Sequence, residues 1–118
     1  MAGLNQYSRG GVYLARLDLA QGAEVGILRP VVILTDQQLL ESQPAHVFVC
    51  PLSSWSNPDY ETLHLALPAR DSLRVKSYAL VEHCRAISIR RLQHDRLAQL
   101  NRDELVEIIR RLNRLVGW

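Results

Sequence analysis

The first three quarters of the chain carry apolar runs that are too short for helices and rich in β-branched residues. Short β-branched runs indicate strands, and a continuous apolar run such as VVILT indicates a strand that is buried on both faces. In ETLHLAL the leucines alternate with other residues, which predicts a strand with one buried face and places His64 on the solvated face. The predicted strands are 11–17 (GVYLARL), 31–35 (VVILT), 46–52 (HVFVCPL), 61–67 (ETLHLAL), 77–82 (SYALVE) and 84–89 (CRAISI).

The end of the chain changes to a helical period. Asn101 followed by Glu104 is a capping pair that starts helices. A shorter helix is expected in 36–41 (DQQLLE), capped by Thr35 or Asp36. The pattern predicts an α+β fold: a small antiparallel β-barrel of SH3-like type, or a strongly bent sheet, with a C-terminal helix and one short helix. The residues at helical i, i+3, i+4 spacing are Leu105, Ile108, Ile109, Leu112, Leu115 and Val116.

Length and composition bound the class of protein. The 118 residues suffice for one domain, taken as 1–118, and the 47% hydrophobic and 22% charged fractions are those of a soluble globular protein. No apolar run is long enough for a signal peptide or a membrane span, which predicts a cytoplasmic protein without a membrane partner. Cys50 and Cys84 lack CxxC spacing, so a buried pair of reduced thiols is expected.

The charge is unevenly distributed and is carried mostly by arginine. The net charge of +2 is too small by itself to indicate nucleic-acid binding. Residues 61–118 nevertheless carry eleven basic against seven acidic groups, and thirteen of the fourteen cations in the chain are arginines. Arginine suits bidentate contacts to phosphate, although a codon bias would give the same composition.

Several side chains that could take part in catalysis or binding lie at the ends of predicted strands. Arg29 precedes Pro30, which is expected to open a strand, and a glycine-containing loop with Glu24 comes just before. An arginine in this position either binds an anion or is simply a solvated residue at the end of a loop. Ser53 follows another strand, where its hydroxyl could act in chemistry or cap the loop. Trp55 could stack on an unpaired base or plug the edge of the core.

These features together suit the cleavage of RNA. RNA carries its own nucleophile, the 2′-OH, so an enzyme need only orient that oxygen, move a proton and stabilise charge on the phosphorane. The four histidines show neither HxH nor HExxH spacing, so no metal site and no cofactor are expected.

At this point the sequence resembles a known family. RGGVYLARLDLAQGAEVGILRPVVIL (9–34) is similar to the opening of MazF/PemK-type toxins, and the similarity continues through VCPLSS, SYALVEHCRAISIRRL and the terminal segment. The resemblance implies a CcdB-like barrel that forms a homodimer and is controlled by a cognate MazE-like antitoxin. It also implies sequence-specific, metal-independent cleavage of single-stranded RNA or mRNA, which leaves a 2′,3′-cyclic phosphate and a 5′-OH.

The resemblance assigns roles to individual residues. Arg29 matches the catalytic arginine, Ser53 stands where the family has a catalytic threonine, and Glu24 matches the acid of the flexible loop. Because arginine is a poor proton shuttle, Arg29 is expected to stabilise charge, while Glu24 or His83 is the general base. The residues expected to contact RNA are Ser54, Trp55, Ser77, Glu82, His83 and Arg85.

The chain also departs from the family pattern. Serine at position 53 keeps the hydroxyl but loses the methyl group that restricts the threonine rotamer. Gly11 replaces an aspartate, and His83 replaces a glutamine. Two other functions therefore stay open: an inactive relative retained as a binding or regulatory module, and a CcdB-like gyrase poison. The C-terminal Trp-Gly-Ile of gyrase poisons differs from the LVGW found here.

Overall fold

The computed structural model describes residues 7–17 and 27–118. Seven strands and two α-helices make up this part of the chain, and short 3-10 turns cover Pro58–Tyr60, Val81–His83 and Ile89–Arg91. In chain order the elements are β1 (Gly11–Leu17), β2 (Ile27–Ile33), α1 (Gln37–Glu41), β3 (His46–Ser53), β4 (His64–Leu67), β5 (Ser77–Leu80), β6 (Arg85–Ser88), β7 (Leu92–Gln99) and α2 (Arg102–Leu115).

The strands form one antiparallel sheet in the order β4-β5-β3-β2-β1-β7, and β6 pairs with β3 beside that path. On the side away from β2, β3 changes partner along its length: residues 46–49 pair with β6, whereas Leu52 and Ser53 pair with β5. Within the described residues β4 and β7 remain edges, so the sheet is not closed into the predicted barrel. The α+β fold with a terminal helix and one short helix is confirmed.

The central strands bury both faces, as the continuous apolar runs predicted. One core, between the sheet and α2, contains Val12, Val32 and Cys50. The other core, on the opposite face, contains Tyr13, Val31, Val49 and Leu40 of α1, together with further apolar residues. Successive residues of a strand point to opposite faces, so an uninterrupted apolar run supplies both cores at once.

Two strand predictions need correction. β2 begins at Ile27, so Pro30 lies inside the strand rather than at its start. Pairing between β2 and β3 begins only at Val31, and a residue without an N–H is tolerated where a strand lacks its second neighbour. β7 was not predicted from the sequence; it pairs with β1 and is mostly exposed. A polar edge strand has no apolar alternation to identify it.

The terminal helix begins as predicted. The Asn101 side chain accepts a hydrogen bond from the Glu104 N–H, and the Glu104 carboxylate accepts one from the Asn101 N–H. Ile108 is fully buried in the core beneath the helix. Leu115 and Val116 continue the predicted stripe but are exposed. Among the residues that the structure describes, neither helix has the length and apolar character needed to cross a bilayer.

Candidate functional site

The structure brings Arg29 and Ser53 together at the end of β3. Val31 of β2 pairs with Pro51 of β3, and the same antiparallel register continued by two residues sets Arg29 opposite Ser53. The Arg29 Nη1 donates a hydrogen bond to the carbonyl oxygen of Leu52, at 3.3 Å. The guanidinium is therefore held against the backbone of β3 at Leu52, the residue before Ser53, and it is carried by a strand rather than by a loop.

The Ser53 hydroxyl also has a structural role. Its Oγ accepts a hydrogen bond of 3.1 Å from the Trp55 N–H, which is the loop-capping arrangement expected for a serine at a strand end. A hydroxyl can donate one hydrogen bond while it accepts others. The Ser53 hydroxyl can therefore cap the loop and still donate a hydrogen bond to an oxygen of a ligand. The hydrogen bond from the Trp55 N–H also fixes the direction of the Oγ.

A small cavity of about 150 Å³ opens beside Ser53. Exposed aromatic rings contribute to its lining, since Trp55 is 65% and Tyr60 45% exposed. Acidic and imidazole groups line it as well. The lining residues are Ser53, Trp55, Asn57, Tyr60, His64, Leu80, Glu82 and His83. Four of these, Ser53, Trp55, Glu82 and His83, are site residues named from the sequence.

His64 was wrongly expected on the solvated face of its strand: its side chain is only 2% exposed. Its Nε2 lies 2.7 Å from Oε2 and 2.9 Å from Oε1 of Glu82, and its Nδ1 lies 2.8 Å from the Ser56 Oγ. Because an ionised carboxylate only accepts hydrogen bonds, Nε2 carries the proton; in the neutral ring Nδ1 then accepts from the Ser56 hydroxyl. The alternation with leucines gave no sign of this, because the partners come from a loop and a turn far along the sequence.

The position of His64 is fixed from other directions as well. The Tyr60 ring stacks on the imidazole with a centroid distance of 6.1 Å. Arg111 of α2 donates a hydrogen bond to the His64 carbonyl oxygen and is itself paired with Glu107. The terminal helix thus holds the strand that carries His64, and His64 in turn holds Glu82 at the cavity.

The other predicted site residues that the structure describes lie apart from the cavity lining. Glu24 falls outside the described residues. Ser54 is exposed, and Arg85 is exposed on β6, where it pairs with Val49. Ser77 is buried, and its hydroxyl donates to the Val75 carbonyl oxygen. None of the three described residues lines the cavity beside Ser53.

A larger cleft of about 690 Å³ runs along α2. Its lining contains none of the site residues predicted from the sequence and consists largely of arginines and apolar residues of the helix. Its lining residues are Arg9, Gln99, Leu100, Arg102, Leu105, Val106, Ile109, Arg110 and Asn113. We take the smaller cavity as the candidate site because the paired His64 and Glu82 and the Ser53 hydroxyl line it together.

Cys50 and Cys84 are free thiols, the first buried and the second half-buried. The register of β3 with β6, in which Val49 pairs with Arg85, sets the two cysteines opposite one another one residue further on. A hydrogen bond between the thiols and burial raise the pKa of Cys50, while the same hydrogen bond lowers the pKa of Cys84. Among the described residues, no group of three or more His, Cys, Asp or Glu could hold a metal ion.

The fold and the site define a small α+β protein with a bent antiparallel sheet and a polar site at the end of its central strand. The chain belongs to the PemK-like, MazF-like toxins of type II toxin–antitoxin systems, whose family model matches residues 8–116. This confirms the family resemblance of the sequence. The comparison with curated proteins gave no match.

Solved structures share the fold. MazF from Deinococcus radiodurans is 24% identical, with a TM-score of 0.77 over 95% of this chain and 97% of that chain. The Mycobacterium tuberculosis toxin MazF-mt6 is 17% identical, with a TM-score of 0.73 over 92% of this chain and 99% of that chain. A mycobacterial endoribonuclease in complex with its cognate antitoxin is 19% identical, with a TM-score of 0.67 over 96% and 95% of the two chains.

Proposed function

We propose that this toxin is a sequence-specific endoribonuclease that cuts single-stranded RNA, including mRNA, without a metal ion. The observation that carries the proposal is the Arg29 guanidinium bonded to the Leu52 carbonyl oxygen, one residue before Ser53, whose hydroxyl lines a cavity with exposed aromatic rings. A cation and a hydroxyl donor suit a phosphate group, and the rings of Trp55 and Tyr60 suit stacking on unpaired bases.

The chemistry requires little from the protein. The ribose 2′-OH attacks the adjacent phosphorus, the bond from phosphorus to the 2′-oxygen forms and the bond to the 5′-oxygen breaks. A 2′,3′-cyclic phosphate and a 5′-OH result, and the proton lost by the 2′-OH is balanced by the proton that the leaving oxygen gains. Arg29 and Ser53 stabilise the charge that develops on the phosphoryl oxygens. The proton acceptor is Glu24 or His83, because a guanidinium does not give up its proton at neutral pH.

The protein is proposed to act as a homodimer in the cytoplasm, under the control of a cognate MazE-like antitoxin. Support for an antitoxin comes from the family and from the related fold of an endoribonuclease bound to its antitoxin. Support for self-association comes from the apolar residues left uncovered at the end of the chain: Leu115 is 44%, Val116 68% and Trp118 94% exposed. Contiguous exposed apolar surface of this kind marks interaction sites.

The test is incubation of the purified protein with a long single-stranded RNA, with and without EDTA, followed by mapping of the cut ends. We expect cleavage at one short sequence, unaffected by EDTA, with cyclic phosphate ends. Arg29→Ala should lower the rate by about 10²–10³. Arg110→Ala is the matched control, because Arg110 is an exposed arginine of α2 that is paired with Glu107 and lies outside the cavity.

Three outcomes would contradict the proposal. Intact RNA after long incubation would favour the inactive binding module. Inhibition of DNA supercoiling without RNA cleavage would favour a gyrase poison. Activity that returns only on addition of a divalent ion would overturn the metal-independent mechanism.

A further inference from the structure

We propose that His64 is a positioning residue for RNA recognition. It holds Glu82 as a fixed, ionised hydrogen-bond acceptor in the cavity, so that the cavity selects a nucleobase bearing an exocyclic amino group. This inference rests on the proposed ribonuclease function and deepens it. It adds to that function a residue, His64, and a chemical rule for the base that the cavity accepts.

The burial of His64 shows that it acts through another group. Both ring nitrogens already have partners within the chain, Ser56 on one side and Glu82 on the other. The imidazole side chain is almost completely shielded from solvent. A ring so enclosed presents no free donor or acceptor to RNA, whereas the carboxylate that it holds is 16% exposed at the cavity.

The geometry of the pair fixes the orientation of Glu82. The two short contacts from Nε2 reach both carboxylate oxygens and so orient the carboxylate plane. A carboxylate has about four lone-pair positions, so it can accept further hydrogen bonds from a ligand while it is held by His64. His83 stands near the same carboxylate, with its Nε2 3.7 Å from Oε2, and is itself largely exposed.

A fixed acceptor discriminates among bases. Adenine, cytosine and guanine each carry an exocyclic amino group that donates hydrogen bonds, whereas uracil carries carbonyl oxygens in place of an amino group. A carbonyl directed at an ionised carboxylate is repelled and leaves a desolvated charge without a partner. The cavity therefore favours an amino-bearing base at one position of the RNA.

The same histidine supports the aromatic side of the cavity. Ser56, which donates to Nδ1, directly follows Trp55 in the chain, and Tyr60 stacks on the imidazole. Loss of His64 would loosen both the acceptor and the stacking surface. The expected consequence is weaker and less selective binding, with a smaller effect on the chemical step.

The experiment uses the preferred RNA site of the wild-type protein and removes one amino group at a time. Guanine is replaced by hypoxanthine, adenine by purine and cytosine by pyrimidin-2-one, and kcat and KM are measured for each RNA. At one position the loss of the amino group should lower kcat/KM by about 10-fold or more. This discrimination should vanish in Glu82→Gln, whose amide presents a donor as well as an acceptor.

His64 variants then separate a positioning role from a merely structural one. His64→Leu should abolish the discrimination at the same position, with a larger change in KM than in kcat. His64→Gln should restore it, because its amide can donate to Glu82 and accept from Ser56. Arg29→Ala should lower kcat while the KM discrimination stays, since Arg29 lies outside the cavity lining.

The outcomes are distinguishable. If the wild type cuts no RNA, the proposed function and this inference both fail. If it cuts every amino-deleted RNA with unchanged kcat/KM, or if folded His64→Leu keeps the discrimination, this inference alone is overturned. Should His64→Leu fail to give a cooperative melting transition, Glu82→Ala decides: retained discrimination in that variant excludes Glu82 as the acceptor.

Discussion

The ion pair between Arg70 and Glu104 should contribute measurably to stability, and its contribution should disappear in acid. Arg70 Nη1 lies 2.7 Å from Glu104 Oε1 and Nη2 lies 2.5 Å from Oε2, so the pair is bidentate. Arg70 also belongs to the turn that bridges to Leu73. The pair thus ties this turn to the first residues of α2, where Glu104 closes the capping box.

The magnitude follows from burial and geometry. The side chains of Arg70 and Glu104 are 20% and 17% exposed, which is well below the exposure of a free surface pair. Exposed pairs contribute about 0.2–1 kcal/mol, and hydrogen bonds to charged groups about 1.5–3 kcal/mol. A bidentate pair that is mostly shielded from solvent should fall between these two ranges, with a coupling free energy of about 1–2 kcal/mol.

The pH dependence has a definite sign. The hydrogen bond from Arg70 lowers the pKa of Glu104 in the folded protein, and the Asn101 N–H adds to this, while burial opposes it. A carboxyl whose pKa is lower in the folded than in the unfolded state stabilises the fold fully above its unfolded pKa, about 4.3 for glutamate. That contribution is lost as pH falls through the lower, folded value.

The assay is a double-mutant cycle by urea unfolding, with Arg70→Gln, Glu104→Gln and the combined variant. Each protein is measured at neutral pH and at a pH below the pKa of Glu104 in the folded state. Glutamine at 104 keeps an oxygen for the Asn101 N–H, so the helix cap survives. The control cycle uses Arg110 and Glu107, an i,i+3 pair on α2 whose arginine is exposed and which should give a smaller coupling. Coupling near zero at neutral pH, or coupling that persists unchanged in acid, would refute the reasoning.

Three further predictions concern single residues. Ser53→Ala should reduce RNA cleavage about as strongly as loss of an oxyanion donor, about 10²–10³, whereas Ser53→Thr should retain or improve it; single-turnover rates measure both. Ile108→Ala should destabilise the fold by about 2–5 kcal/mol in urea titrations, because Ile108 is fully buried under α2. Cys84, with a lowered pKa and partial exposure, should be alkylated by iodoacetamide before Cys50, as peptide mass spectrometry would show; faster labelling of Cys50 would contradict this.

Local signals in the sequence were sufficient for the central strands and the terminal helix. The apolar runs at 11–17, 31–35 and 46–52 lie within β1, β2 and β3 or extend them by a residue or two. The capping box of Asn101 and Glu104 starts α2 as predicted. These features succeed because their cause is local: periodic burial and side-chain capping act between residues close in the chain.

The polar elements could not be predicted in the same way. β7 carries an exposed, mostly polar sequence and becomes a strand because β1 offers it an edge to pair with. Likewise, the sheet is not a closed barrel because β4 and β7 do not pair with each other within the described residues. Which edge remains free depends on the whole sheet, and no short stretch of sequence carries that information.

The candidate site shows the same division. The sequence by itself determined the family, through motifs such as RPVV, and it predicted Arg29 and the Ser53 hydroxyl at the end of β3 as site residues. Only the tertiary structure decided that His64 is buried and bound to Ser56 and Glu82, residues 8 and 18 positions away along the chain. Alternation along one strand reports only which face a side chain takes. Whether that face meets water or another element depends on how the loop, the 3-10 turn and α2 fold over it, and a buried imidazole is stable there because both of its nitrogens find partners.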